Sequence, residues 1–469
     1  MSSPDNSSRL PLATKVGFGL GNIAVMVGKQ APKQLSGPIY NLELGVSPAS
    51  VSTILALGRV WDAFADPFIG QWSDRFKSKY GRRKPFIFVG AILTGLFFAL
   101  TWWFPRGLSV FEYTAYFAGL SFLFYLALAV FTVPWYAMGY ELSPDYDERT
   151  RVQGFASMIG PAGQILAAWL YPLTQQRYLF ADTIDGVRVV GVIGGLVLVI
   201  FGLLPVLLVR ERELVEPTSK EKKNRPSLWQ GLKAAWGNRA FMLLTIAFTL
   251  VTIGTNLVNG LGNYVNIFYL YGGDKKLGSE LTAENWTICL VVAVLFTPVV
   301  VKLSTRFGKK KVFAAALAWG LARSVLLWWL LDPKHPQLAL VNGFLWGFDN
   351  AAVFMLCHAM IADVCDVDEL GSGERREGLF GALYAWVFKT GLALAFALSG
   401  YILVWVGFDQ ALGGAQAANT LFLMKVCYCG IPLLFFLLAL IIFLRYPITR
   451  TMAARVREQL DARVAGEQS

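Results

Sequence analysis

Three ionisable residues, Arg59, Asp62 and Asp66, stand three and four apart in an otherwise apolar stretch of a 469-residue chain. Those spacings put all three on one face of a helix. Two carboxylates one turn apart offer hard oxygen ligands to a monovalent cation, or share a proton, because paired like charges raise one pKa. Ionised groups are costly at membrane depth, so by default they mark an ion or substrate pathway. The competing reading is a static network that locks helices together. Directly behind them, SDRFKSKYGRRKP holds Asp74 and six cations, Arg75, Lys77, Lys79, Arg82, Arg83 and Lys84, before the next apolar run starts at Pro85. It reads as a short cytoplasmic hairpin.

The elements that must carry these residues follow from composition. The chain is 55% hydrophobic, 14% aromatic and 16% charged, with a mean hydropathy of +0.50, which is too apolar for a soluble protein of this length and fits an all-α polytopic membrane protein. The apolar runs have helix-spanning length and lack the alternation of barrel strands. A formal charge of +11 is spread between apolar runs instead of forming a stripe, so no nucleic-acid partner is expected. The opening MSSPDNSSRLPLATK has no apolar core with a small-residue cleavage site, so no removable signal peptide is expected. Five cysteines, Cys289, Cys357, Cys365, Cys427 and Cys429, fall in or beside apolar segments and read as packing, not as a disulfide framework.

Twelve spans are expected, near residues 16–41, 51–72, 85–104, 111–140, 155–173 and 189–209, then 241–270, 286–303, 312–331, 338–361, 379–406 and 420–444. The corresponding domains are a cytoplasmic tail (1–15), a six-helix half (16–209), a cytoplasmic linker (210–239), a second six-helix half (240–445) and a cytoplasmic tail (446–469). Basic residues concentrate in the loops after even-numbered spans, including Arg149 and Arg151, Lys302 to Lys311, and Arg375 with Arg376. The other loops hold scattered cations such as Arg106 and Lys275. Lys and Arg favour the cytoplasmic side, so both termini are expected there. In the linker, LWQGLKAAW has the pattern of an amphipathic helix lying at the interface.

A weak internal repeat supports two related halves. SDRFKSKYGRRKP after span two is echoed by STRFGKKKVF after span eight. ELSPDYDERTRVQGF after span four is echoed by DVDELGSGERREGLF after span ten, acidic residues preceding an Arg pair and a glycine.

With these motifs assembled, the chain resembles the major facilitator superfamily: G-x-x-x-D-x-x-x-D-P runs from Gly58 through Asp62 to Asp66 and Pro67, with SDR and GRRKP behind it. R-x-W-D-A-x-x-D-P, the E-L-S-x-D-Y-x-E-R loop, and D-V-x-D-x-D-E-L with R-R-E-G narrow the resemblance. They resemble the melibiose permease-like glycoside-pentoside-hexuronide:cation symporter family. The pattern is also similar to the sodium-dependent lysophosphatidylcholine symporters, including D-A-F-A-D-P.

The resemblance implies a twelve-helix major facilitator fold in two halves and a cation site at Asp62 and Asp66, with Na+ as the metal if coupling is to sodium. Arg59 and the span-eleven Lys389 would balance the charge beside it. Positions that read galactosides in the family are Ala24, Thr132 and Gln153 here, so recognition of a galactoside by charge is absent. Ala65 and Ala129 replace sodium-site polar residues, which leaves Na+ and H+ both open. In this superfamily a loop such as Asp74, Arg75, Arg82 and Arg83, with Arg149 beyond it, clasps neighbouring helices as a cytoplasmic gate. Positive-inside topology alone is the plainer account of its cations.

Polar groups remain in the spans to read a substrate: Asn22, Lys29 and Gln30, then Thr132, Tyr136 and Gln153, and Asn259 and Asn263 in the second half. Trp346 and Trp386, with Trp135 and Tyr384, are candidates to stack on a sugar ring, against a packing role for each. For the asparagines the alternative is an interhelical hydrogen bond. Lys29 falls roughly mid-depth at about 1.5 Å per residue, where it would pair with Asp62 or Asp66 or meet an anionic substrate group. His358 reads as a core histidine before a proton relay. No H-E-x-x-H, P-loop or G-x-S-x-G constellation is present, so an enzyme is not expected and no cofactor beyond the coupling ion is implied. The expectation is a monomeric symporter in the cell (inner) membrane, importing a glycoside or related sugar. A lysophospholipid or other anionic amphiphile is the alternative.

Overall fold

The computed structural model describes residues 10–76, 78–143, 145–210, 237–372 and 376–467. Most of the central linker, with its LWQGLKAAW segment, and Lys77 and Arg375 of the basic loops lie outside the described residues. The described chain is helical throughout: α1 Leu12–Ser36, α2 Pro48–Arg75, α3 Lys84–Trp102, α4 Val110–Glu141, α5 Tyr146–Thr174, α6 Thr183–Leu208, α7 Arg239–Tyr264, α8 Lys275–Phe307, α9 Lys309–Leu330, α10 Leu340–Ser372, α11 Glu377–Trp405, α12 Ala418–Leu444 and α13 Arg450–Glu467. Nine of them are long and apolar enough to cross a membrane. Of the twelve expected spans, α1, α2 and α5 are the less apolar ones, and two of these carry Lys29, Lys33, Arg59, Asp62 and Asp66.

Local chemistry sets the helix ends. Ser109 caps α4 by accepting from the Glu112 amide while Glu112 reaches back to the Ser109 amide, a reciprocal capping box. Asp182 caps α6 and Asn238 caps α7 in the same acceptor role. The sequence repeat has a backbone counterpart: α1 runs on as a π-helical turn at Gly37–Glu43, and α7 does the same at Val265–Leu270. Such turns are rare and concentrate at functional sites.

Packing divides the chain into two compact units: Met1–Glu216 with Gly272–Ala283 and Phe396–Gln416, and Pro217–Tyr271 with Glu284–Ala395 and Ala417–Ser469. In the first, α1 packs on α5 and α6, and α3 on α4 and α6. Close approach of α3 and α6 depends on two glycines, because a Cβ at Gly95 would stand 2.5 Å from the Gly195 carbonyl oxygen and one at Gly195 2.6 Å from that of Gly95. The two later segments are tied into this unit by polar contacts: Lys275 Nζ meets Glu43 at 2.8 Å, Asn41 donates to Gln410 at 2.7 Å, and Ser52 donates to the Ala397 carbonyl at 3.1 Å.

In the second unit three of the pairings recur, those of α1 with α6, α3 with α6 and α3 with α4: α12 packs on α7 and α9, and α9 on α10, around a core that includes Phe248, Phe313, Leu356, Phe436 and Phe443. The short α13 docks on α10, with Arg457 3.8 Å from Asp366. All five cysteines are buried, and none is in a disulfide among the described residues, as their apolar settings predict.

Candidate functional site

α2 presents Arg59, Asp62 and Asp66 along one face, and α1 and α4 bring polar groups to it. Asp62 is only 8% exposed, yet among the described residues it has no hydrogen-bond or ion-pair partner. A buried carboxylate left without a counterion is expensive unless a ligand or proton completes it. Asp66, one turn on, is half-buried. Arg59 makes no ion pair with either carboxylate. Its guanidinium donates to the Lys29 carbonyl, lies 5.3 Å from the ring centre of Tyr125 and 5.6 Å from that of Phe396, and leaves its Nε buried without a partner. Balance of the two carboxylates by Arg59 is therefore not a direct contact. The reason is geometric, because the side chain reaches across to α1 and is held there by a carbonyl and two aromatic faces.

Lys29 likewise forms no salt bridge with Asp62 or Asp66. Its Nζ donates to the Tyr136 hydroxyl at 3.0 Å, joining α1 to α4. Lys33, one turn further along α1, places its Nζ 5.1 Å from the Phe396 ring centre. The other first-half candidates lie on α1, α4 and α5. Asn22 donates to the Ala156 carbonyl at 2.7 Å while its Oδ1 stays buried without a partner, and the Gln153 Nε2 is buried and unpartnered too. Thr132 is buried and Gln30 half-buried. Trp135 is core: it stacks on Phe18 with ring centres 4.5 Å apart. Away from that face, on the other side of α2, α2 and α4 line an apolar crevice of about 410 Å³ that includes Ile54, Leu57, Trp61, Phe64, Ala118 and Phe122.

The remaining candidates belong to the second unit. Lys389 and Asn259 are half-buried, Asn263 is buried and Trp386 is exposed. Trp346 packs against Trp286, ring centres 4.8 Å apart, and Tyr384 against Phe248 at 5.3 Å. His358 is not a core residue. It is exposed, and its Nδ1 lies 2.9 Å from the Phe354 carbonyl of its own helix.

The basic hairpin is held by Arg83, which is 4% exposed. Its Nη2 meets Asp74 at 2.6 Å and Glu141 at 2.7 Å, its Nη1 donates to Ser73 at 2.9 Å, and Arg82 adds a contact to Glu141 at 2.9 Å. Burial works against the Arg83 charge, but its bonds to Glu141 and Asp74 outweigh that and hold its pKa above the ordinary arginine value. Arg75 is exposed, and Arg75 and Arg149 form no ion pair among the described residues. They are not part of this clasp because α2 turns Arg75 outward, and Arg149 leaves its Nε unpartnered. Glu141, which receives both arginines, is a component that spacing did not single out. Its place at the head of E-L-S-x-D-Y was the available signal.

A second buried charge pair also escaped the sequence reading. Arg323 on α9 and Asp349 on α10, 6% and 2% exposed, meet at 3.1 Å, with Arg323 Nη1 donating to Asn342 at 3.1 Å. Charged residues inside apolar spans were the signal that singled out Arg59, and it applies equally to these two.

The profile described as MFS/sugar transport protein matches residues 17–450. A putative glycoside/cation symporter, YagG of Escherichia coli, is 25% identical over 97% of this chain and 95% of its own. The mouse sodium-dependent lysophosphatidylcholine symporter 1 is 26% identical over 98% and 90% respectively. Among solved structures, the nucleoside transporter NupG superposes with a TM-score of 0.67 over 92% of this chain and all of its own at 13% identity, which establishes a shared fold.

Proposed function

This chain belongs to the MFS/sugar transport protein family, and from that premise we propose that it is a cation-coupled symporter importing a glycoside or related sugar by alternating access. The observation that carries the reading is Asp62: a buried carboxylate with no partner of its own, one turn from Asp66. Asp62 and Asp66 take the coupling ion, Na+ or H+. Asn22, Lys29, Gln30, Thr132, Tyr136 and Gln153 in the first half, with Asn259, Asn263, Trp346 and Trp386 in the second, supply the substrate contacts. Lys389 supplies positive charge from the second half, and the Asp74–Arg83–Glu141 clasp, with Arg82, serves as the cytoplasmic gate. The name of the glycoside/cation relative supports the substrate class.

The test is uptake into proteoliposomes under an imposed Na+ or H+ gradient. Asp62→Asn is expected to lower gradient-driven accumulation at least about tenfold, the scale of one lost charge-assisted ligand. Concentrative uptake that survives this change would remove Asp62 from the cation site.

A second reading, transport of a lysophospholipid or other anionic amphiphile, draws on the lysophosphatidylcholine relative and on the apolar crevice beside α2 and α4. Gradient-driven uptake of a lysolipid with no uptake of any glycoside would favour it.

A further inference from the structure

Building on the transport reading, we propose that Lys29, Lys33 and Arg59 form an anion-recognising subsite in the first unit, and that the substrate brings a carboxylate or phosphate group to it. The chain itself supplies the contrast. In the second unit, buried Arg323 is met by the Asp349 carboxylate at 3.1 Å and by Asn342 at 3.1 Å, so its charge is matched internally. Lys29 and Arg59 have no such match: among the described residues neither has a carboxylate within ion-pair distance. Their polar partners are a phenol and a carbonyl, and the Arg59 Nε is buried with no acceptor at all. A donor on a guanidinium that is kept from both protein and solvent is satisfied only by what binds there.

The three cations converge. Lys33 Nζ and the Arg59 guanidinium both lie over the ring of Phe396, at 5.1 and 5.6 Å from its centre, and Arg59 is bonded to the backbone of Lys29. The field of Arg59 reaches both lysines, and that of Asp62 reaches Lys29. Each of the three residues keeps part of its surface accessible.

Charge balance then links this subsite to the cation site. A monovalent cation adds one positive charge to the site and a monoanionic substrate removes it. The fully loaded site thus has the formal charge of the empty one, and only the half-loaded states differ. Each ligand favours the other, and by linkage the coupling is mutual. A neutral substrate offers no such compensation.

Binding by calorimetry and uptake in proteoliposomes are measured with two matched pairs: 4-nitrophenyl β-D-glucuronide against 4-nitrophenyl β-D-glucoside, and the monoanionic lysophosphatidylglycerol against the monoacylglycerol of the same chain. Wild type is expected to prefer the charged member of one pair by about tenfold or more, as charge-assisted bonds require. The pair that shows the preference identifies the anion as carboxylate or phosphate. Lys29→Gln and Lys33→Gln should abolish the preference by weakening the charged member alone, while Lys33→Arg retains it, with melting temperatures confirming that the variants are folded. Equal weakening of both members, or no binding of either charged member, overturns the subsite. Gradient-driven accumulation of the neutral glucoside in preference to the glucuronide overturns it too, while leaving the transport reading intact. A charged member that binds through both lysines but is driven by no cation gradient leaves the subsite standing and removes the transport reading.

Discussion

Arg59 and Arg323 both place a guanidinium inside helices of membrane length, and the chain treats them differently. Arg323 is closed in by Asp349, Asn342 and the rings of Trp346 and Phe436, at 5.7 and 5.8 Å. Its burial leaves no room for a ligand, so we expect a packing role that joins α9, α10 and α12. Removing one partner of a buried pair strands the other charge at a cost of about 3–5 kcal/mol, whereas replacing both with apolar side chains is often neutral. Asp349→Asn should therefore lower the melting temperature sharply, and the double variant Arg323→Met/Asp349→Leu should recover most of it. If single and double variants melt alike, the pair carries no coupled energy. At Arg59 the opposite pattern is expected, because Arg59→Gln removes ligand contacts and weakens transport more than it weakens the fold.

At the level of elements, two junctions in the first unit are open to direct tests. Gly95 and Gly195 allow α3 and α6 to touch through their backbones. Gly95→Leu overpacks that crossing and should destabilise by about 1–3 kcal/mol or more, read as loss of folded protein in detergent, while Gly119→Leu, at a position where a side chain meets no neighbouring atom, does not. The other junction is the start of α5. There Glu148 accepts from Lys15 at 2.6 Å, from the Leu10 amide at 3.0 Å and from Arg151 at 3.1 Å. Burial pushes the Glu148 pKa up, but these three donors together hold it below the ordinary glutamate value. A depressed folded pKa means stabilisation that is complete above the unfolded value, about 4.3, and is lost as pH falls through the lower folded one. Wild type should accordingly melt above Glu148→Gln at pH 7, and the gap should close only below that range. A gap that closes already between pH 7 and 6 would show that Glu148 is not held ionised by these partners.

For the whole molecule, the basic loops lead us to expect both termini on the cytoplasmic side, so that protease sites appended to each end are cut only from that side in oriented vesicles. Cleavage of either end from the opposite side would overturn the topology. The all-helical membrane class was legible beforehand, because a span must be about 20 apolar residues long, and loop motifs that recur in register pointed to a repeat. Three recurring helix pairings and the two π-helical turns agree with the repeat, whereas α13, within the expected tail, was not foreseen.

The sequence by itself determined the class, the family resemblance and the face carrying Arg59, Asp62 and Asp66, since helical spacing is a property of neighbours along the chain. It also marked Asp74, Arg82 and Arg83 as a set. Only the tertiary structure decided which partner each charge meets. Arg59 goes to the Lys29 carbonyl and not to Asp62, Lys29 to Tyr136, Arg83 to Glu141 58 residues away, and Arg323 to Asp349. The physical reason is that a long cationic side chain selects its partner among groups brought within a few ångströms by helix packing. Periodicity fixes a residue's face, but it does not fix which neighbouring helix that face meets.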